Sequence, residues 1–276
     1  MQNLFAFIWK YSFYFLFLLL MVISFVMMVQ NNYYQKTVAI NSTNGITGNI
    51  LSVVDNFSDY LTLRYANQKL AEENARLLAG SKDAYLYLGT EKINSNDSGY
   101  LRQYDYVAAK VISNSVNRRN NYMKLNKGRL QGIKPNMAVI APDGVVGQVI
   151  EVSTHFSSVM SVLNRNSRVS AKLKSSNQVG SLQWDGENYR MGKLIDIPSH
   201  VQIIVGDSVV TSGFSHVFPE GRLIGVVENF RLDPGENFYQ VKVRFTVDFN
   251  KLSYVYVVKN VLIDELMILQ KSETQN

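Results

Sequence analysis

The chain opens on a long apolar stretch. From Leu4 to Val29 nearly every residue is aliphatic or aromatic, and Lys10 is the one charge inside it. After Lys10 the next charge is Lys36. A bilayer core takes ~20 apolar residues in a helix, so the pattern predicts a transmembrane helix over 11–30. Trp9, Tyr11 and Tyr14 at one end and Tyr33 and Tyr34 at the other suit the two membrane interfaces. Lys10 and the amino terminus precede the span, and only Lys36 follows before Asp55. Cations favour the cytoplasmic side, which puts residues 1–10 in the cytoplasm and the bulk outside. A cleaved signal peptide would have a shorter apolar core and a small-x-small site. Met27-Met28-Val29-Gln30-Asn31 offers none.

Beyond a polar cluster at Asn41 to Asn49, a helical pattern runs from Ile50 to Leu88, giving a stalk over 50–90. A heptad fits it. Val53, Tyr60, Asn67 and Asn74 fall at a; Asn56, Leu63, Leu70 and Leu77 fall at d. Asn at a lowers stability but fixes register and a two-stranded state. The expected seam of a parallel homodimeric coiled coil is therefore Val53, Tyr60, Leu63, Asn67, Leu70, Asn74 and Leu77. The competing reading is a single amphipathic helix packed on the head.

The polar segment Ile93 to Gly99 reads as a hinge. After it come twelve short β-branched runs separated by Gly, Asn and Pro-Asn turns. They are Val107–Ile112, Tyr122–Asn126, Ala138–Ala141, Val145–Val152, Ser158–Leu163 and Val169–Leu173, then Val179–Trp184, Met191–Ile195, Ser208–Thr211, Leu223–Phe230, Tyr239–Val247 and Tyr254–Lys259. In Gln240-Val241-Lys242-Val243-Arg244-Phe245, apolar and polar residues alternate, as on a half-buried strand. Regular short strands indicate sandwiches or barrels. A dozen is too many for one small barrel, so the head reads as two β-barrels of about six strands. The expected division is 104–191 and 192–260, with the first strands free to cross over. The tail, 261–276, is expected to hold a short amphipathic helix from Val261 to Lys271.

Charge changes this picture in one place. Tyr106 to Trp184 carries eleven Lys/Arg and two acids, whereas Asp185 to Asn276 carries nine and twelve. Arg118, Arg119, Lys124, Lys127, Arg129, Lys134, Arg165, Arg168, Lys172 and Lys174 form a candidate basic face for an anionic partner, or for the acidic half of another head. The plain alternative is a solvated surface. Phe214, Phe218 and Phe230 are either an exposed apolar contact or core.

Catalytic chemistry finds little support. Gly206-Asp207-Ser208 resembles the nucleophile segment of chymotrypsin-like proteases, but Ser208 runs into Val209-Val210, which reads as a strand. The three histidines, His155, His200 and His216, stand at no metal-ligand spacing. There is no cysteine, which excludes thiolate sites and disulfides, and no phosphate loop. The reading is a non-enzyme without cofactor or metal, and an exported head would not meet nucleic acid.

Five glycine clusters follow the anchor and stalk in order. They are Leu125-Asn126-Lys127-Gly128; Gly132-Ile133-Lys134-Pro135-Asn136-Met137; Gly144-Val145-Val146-Gly147; Gly206-Asp207-Ser208-Val209-Val210-Thr211-Ser212-Gly213; and Phe218-Pro219-Glu220-Gly221. Gly128, Gly132, Gly144, Gly147, Gly206, Gly213 and Gly221 read first as structural turns at strand ends. With Glu73-Asn74-x-x-Leu77 closing the stalk, their order and spacing resemble the MreC family of rod shape-determining proteins, from the anchor to about Val258. The resemblance implies a single-pass inner-membrane protein with its bulk in the periplasm, and two β-barrel domains. It implies a scaffold of the cell-elongation (rod) complex that organises peptidoglycan synthesis. The implied partners are MreB, MreD, a class B penicillin-binding transpeptidase and a RodA-type glycosyltransferase, with homodimers or filaments of the chain itself. The chain departs from the family in a sparse heptad seam and an extension past Asn260. The alternative is a periplasmic adaptor subunit of an export complex, but such adaptors carry a longer helical hairpin.

Overall fold

The computed structural model describes residues 11–31, 62–87, 100–266 and 268. They fall in two units, Met1–Asn67 and Gln68–Asn276.

In the first unit, helix α1 covers Ser12–Asn31, twenty residues without a charge. At 1.5 Å per residue it is about 30 Å long. Its side chains are exposed, Phe13 at 76% and Met27 at 67%. Among the described residues, no helix is long and apolar enough to cross a membrane. The expected cytoplasmic segment 1–10, the stalk from 50 to 61 with Val53, Asn56 and Tyr60, and the hinge at 93–99 lie outside the described residues.

A second helix, α2, runs over 62–80. It ends earlier than the periodicity predicts. After Gly80, the Ser81 hydroxyl and N–H both donate to the Leu78 carbonyl, at 2.7 and 3.2 Å, and a 3-10 turn follows at Lys82–Ala84. The segment expected to carry the helix to Leu88 is instead strand β1, Tyr85–Tyr87, paired antiparallel with β2, Tyr100–Arg102. Tyr85-Leu86-Tyr87 has apolar spacing compatible with either state. Aromatic residues favour the strand once glycine has stopped the helix, and Tyr87 pairs with Tyr100 across it.

The twelve expected runs all appear as strands. They are β3 Tyr104–Asn114, β4 Asn120–Leu125, β5 Ala138–Ala141, β6 Gly144–Val152, β7 Ser157–Asn164 and β8 Val169–Leu173, then β9 Val179–Gln183, β10 Met191–Pro198, β11 Ser208–Thr211, β12 Leu223–Arg231, β13 Phe238–Phe245 and β14 Tyr254–Asn260. They close into two six-stranded barrels, β14-β3-β4-β7-β6-β5 and β10-β13-β12-β11-β8-β9. The sorting corrects the division at 191/192. β8 and β9 belong to the second barrel, and β14 returns to the first, where Tyr254 pairs with Lys110 on one side and Tyr256 with Ile140 on the other. The first barrel is thus 104–164 plus 254–260, and the second lies within 169–245. β14 closes the first barrel between β3 and β5, strands whose own sequences give no signal that they need a seventh-hour partner from the far end of the chain.

Alternation builds each core. In β4 the inward residues Asn121, Met123 and Leu125 are buried and their neighbours exposed. Val241, Val243 and Phe245 do the same in β13. β14 is buried on both faces: Val255 and Val257 point one way, Tyr256 and Val258 the other, and all four are at most 3% exposed. The side chain of Asn74 in α2 lies near the Tyr256 hydroxyl and lowers its pKa. Ala71, Ala75 and Ala79, each four residues apart, form the buried face of α2, and Ala75 and Ala79 join the core of the head. Leu63, Leu70 and Leu77 lie elsewhere on the helix, 57–65% exposed. At 100° per residue the leucine stripe stands roughly 140° from Ala75.

Candidate functional site

The chain crosses between the barrels after β7 and again after β13, and the junction is where polar chemistry gathers. Tyr104 and Tyr106, two apart on β3, share one face. Across from them, Arg222 enters β12 of the second barrel. Its position is fixed by its own N–H, which donates to the Thr211 hydroxyl oxygen at 2.8 Å, while that hydroxyl donates to the Pro219 carbonyl. The Arg222 Nη2–H donates to the Tyr106 hydroxyl at 2.9 Å, and the guanidinium carbon lies 5.7 Å from the Tyr106 ring centre. Asp83, just past α2, stands 4.0 Å from the same Nη2. Asp83 is largely exposed, so that pair contributes little. Arg222 Nε is buried with no partner among the described residues.

Burial raises the Tyr106 hydroxyl pKa above its usual value, and the charge and hydrogen bond of Arg222 pull it part of the way back. Burial likewise raises Tyr104, with a contribution from Tyr106, against the lowering influence of Arg222. Tyr256 is raised by burial and partly restored by the Asn74 side chain.

Three more contacts lock the junction. The Thr246 hydroxyl donates to the Asp143 carbonyl at 2.7 Å, the Asn114 side-chain amide donates to the Phe249 carbonyl at 2.6 Å, and Phe249 is wholly buried, edge-on to Phe245. Beside Asp143, Gly144 lies so close to the second barrel that a Cβ would sit 2.5 Å from the Leu223 carbonyl oxygen. Two barrels joined this way, with β14 returning to the first, are a definite architecture, and the sequence model of the barrel core of the rod shape-determining protein MreC matches residues 111–259.

The chain belongs to the MreC family.

The cell shape-determining protein MreC of Listeria monocytogenes is 28% identical over 235 residues, covering 82% of this chain and 77% of that one. MreC of Cereibacter sphaeroides is 27% identical over 214 residues, covering 76% and 68%. A solved Listeria MreC structure superposes with a TM-score of 0.54 at 26% identity, covering 75% of this chain and 94% of that one. The matched span includes Arg222, Thr246 and both crossings between the barrels, while Tyr104 and Tyr106 lie just before it.

Sequence reasoning pointed to other residues of this MreC fold. The ten basic residues are spread over elements of both barrels. Asn121, wholly buried, pins the turn before it, accepting from the Arg118 N–H at 3.0 Å and donating to the Arg118 and Leu163 carbonyls. That turn presents Arg118 and Arg119 outward, and the Arg165 N–H reaches the Arg119 carbonyl at 3.4 Å. Arg165 and Arg168 direct their guanidinium groups to the carbonyls of Asp185 and Arg165 respectively, so these four form one corner. Lys124 lies at the other end of β4, and Lys127 and Arg129 flank Gly128 in the next loop. Lys134 pairs with Asp264 and Lys172 with Glu220. Lys174 sits at the end of β8, in the second barrel. The acidic neighbours that split the set come from distant sequence, which a count along the chain does not see.

Of the seam residues, Leu63, Asn67, Leu70, Asn74 and Leu77 are described and exposed. Asn74 stands near Tyr256 of its own chain. Gly132, Gly206, Gly213 and Gly221 occupy turns with positive φ, and Gly128, Gly144 and Gly147 lie where backbone approaches backbone. Phe218 is core at 4% exposure, whereas Phe214 is 78% and Phe230 38% exposed. Ser208 begins β11, and Asp207 accepts the Ser208 N–H and the Ser175 hydroxyl, so the Gly-Asp-Ser segment closes a loop. Sequence reasoning missed Arg222, Tyr106 and Thr246. Their signal is weak: Tyr104-Tyr106 repeats an aromatic on one strand face, and Arg222 directly follows the Phe-Pro-Glu-Gly cluster.

Proposed function

We propose that this chain is a non-enzymatic, membrane-anchored scaffold of the cell-elongation machinery that organises peptidoglycan synthesis and so determines cell shape. Family membership carries the reading: the barrel-core match spans both barrels and both crossings between them. The relatives' names state cell-shape determination.

In this reading α1 is the inner-membrane anchor, with residues 1–10 in the cytoplasm and the head in the periplasm. Twenty uncharged residues in one helix, with its described large side chains exposed, support it. A bilayer would cover that surface. The proposed homodimer forms along Leu63, Leu70 and Leu77, continuing through Val53 and Tyr60, with filaments as a further stage. MreB and MreD are the proposed partners near the anchor; a class B penicillin-binding transpeptidase and a RodA-type glycosyltransferase are those of the head. The corner of Arg118, Arg119, Arg165 and Arg168 is the proposed anionic contact. Its two leading arginines are exposed, and no carboxylate pairs with them among the described residues. Depleting the chain in its native cell is expected to turn rods into spheres. Rods that keep their shape while an export pathway fails would favour the adaptor.

A further inference from the structure

A groove of about 820 Å³ crosses the outer face of the first barrel. Two β-bulges build its floor. In β3, Val111 pairs with Leu125 and Ser113 with Lys124, leaving Ile112 over. In β6, Val149 pairs with Val159 and Glu151 with Ser158, leaving Ile150 over. A bulge disrupts the ladder and re-aims a side chain, and both isoleucines line the groove with Phe156. Ile112 is 50% and Phe156 51% exposed. Ser157 lines the same groove, 4% exposed, and its hydroxyl has no partner among the described residues.

The rim is basic. Lys124 lines it, Lys134 precedes the lining residue Pro135, and the Arg129 N–H donates to the carbonyl of the lining residue Ser153 at 2.9 Å. Glu151 is the one acid among the lining residues. An apolar floor, an unsatisfied hydroxyl and a cationic rim fit an amphipathic segment with acids beside aliphatics.

The chain carries such a segment next to the groove. The Asn260 side-chain oxygen accepts the Leu262 N–H at 3.0 Å, a helical turn follows at 263–266, and Asp264 lies 3.7 Å from Lys134. Ile263 and Asp264 share with Pro135 a small cavity of about 100 Å³, so Pro135 borders both the tail and the groove. The sequence continues Asp264-Glu265-Leu266-Met267-Ile268-Leu269. Met267 and 269–276 lie outside the described residues, and Ile268 is 69% exposed.

We propose that this stretch is a strap: in the closed state Ile268 covers Ile112, Ile150 and Phe156, with Asp264 and Glu265 held by Lys134 and Arg129. The occupant is the tail of the same chain. A segment already anchored beside Pro135 has an effective concentration in the millimolar range, which a second copy arriving by diffusion does not match. The strap then withholds the groove from any other partner until displaced.

The test uses the full chain in detergent micelles, with Phe156 replaced by the photoreactive p-benzoylphenylalanine. Trypsin cuts after Lys259 and Lys271, so the tail appears as the peptide Asn260–Lys271. Unlabelled and heavy-nitrogen-labelled chains are mixed before illumination. The expected result is a cross-link to Asn260–Lys271 in isotopically unmixed pairs alone. Ile268→Asp, at an exposed position, is expected to cut the yield about tenfold, as the loss of a buried aliphatic contact does, and Ile268→Leu to keep it. Mixed pairs would assign the groove to a second copy and overturn the strap. So would cross-links that miss this peptide, or a yield that Ile268→Asp leaves unchanged.

Discussion

Arg222 in the second barrel donates a 2.9 Å hydrogen bond to the hydroxyl of Tyr106 in the first. Tyr106 is 6% exposed and the Arg222 side chain 18%. Together with Asp83 it brings both barrels and the segment after α2 to one point.

Removing one partner leaves the other buried without its bond, which costs about 1–3 kcal/mol. Arg222→Met and Tyr106→Phe are each expected to lower head stability by that order. The double variant is expected to lose less than the two single losses added together, because it strands neither group. Urea denaturation of the four proteins measures the coupling. Strict additivity would mean that the bond does not hold the junction.

Tyr104 and Tyr106 give the head an alkaline limit. Burial raises both folded-state values above the unfolded value of about 10. Between the unfolded and folded values the native state retains protons that the unfolded state has lost, so unfolding gains as pH rises. This stability is fully present below about pH 10 and is lost as pH climbs through the folded values. Tyr106→Phe is expected to flatten the decline in urea midpoint between about pH 9 and 11; an unchanged slope would assign it to other groups.

Gly144→Ala places a methyl 2.5 Å from the Leu223 carbonyl oxygen, at φ 152. The contact is backbone, so the barrels must shift apart. The expected loss is ~1–3 kcal/mol, as for overpacking, seen as a lower thermal midpoint. Gly206→Ala makes the control for positive φ, since nothing lies within 4 Å of its Cβ.

The two faces of α2 separate pairing from docking. Leu70→Lys, at 57% exposure, is expected to abolish dimerisation of a fragment that starts after α1, while leaving the thermal midpoint of the head within a degree or so of the original. Ala75→Asp, at 5% exposure, buries a charge against the head and is expected to lower the midpoint. Analytical ultracentrifugation and thermal melts read the two effects separately. A fragment that is monomeric before mutation removes the seam.

All twelve barrel strands are legible in the sequence because alternation and glycine turns are local signals. The sorting of strands is not, because pairing is non-local: nothing in Tyr254–Asn260 states that it belongs beside Tyr104–Asn114. The end of α2 was hidden by Tyr85-Leu86-Tyr87, whose spacing continues the helical pattern past Gly80. The basic residues are visible as a count, but Glu220 and Asp264, which pair two of them, arrive from the other barrel and from the tail. The junction itself escapes a sequence reading. Arg222 and Tyr106 mean nothing to each other until two barrels close and meet.

Rescue of cell shape tests directly whether a tethered scaffold sets it. In native cells depleted of the chain, re-expressed full-length protein is expected to restore rods, scored as cell length over width. A version routed to the same compartment without α1 is expected to leave the cells round. Rods restored equally well without α1, or cells that never round on depletion, would contradict the account.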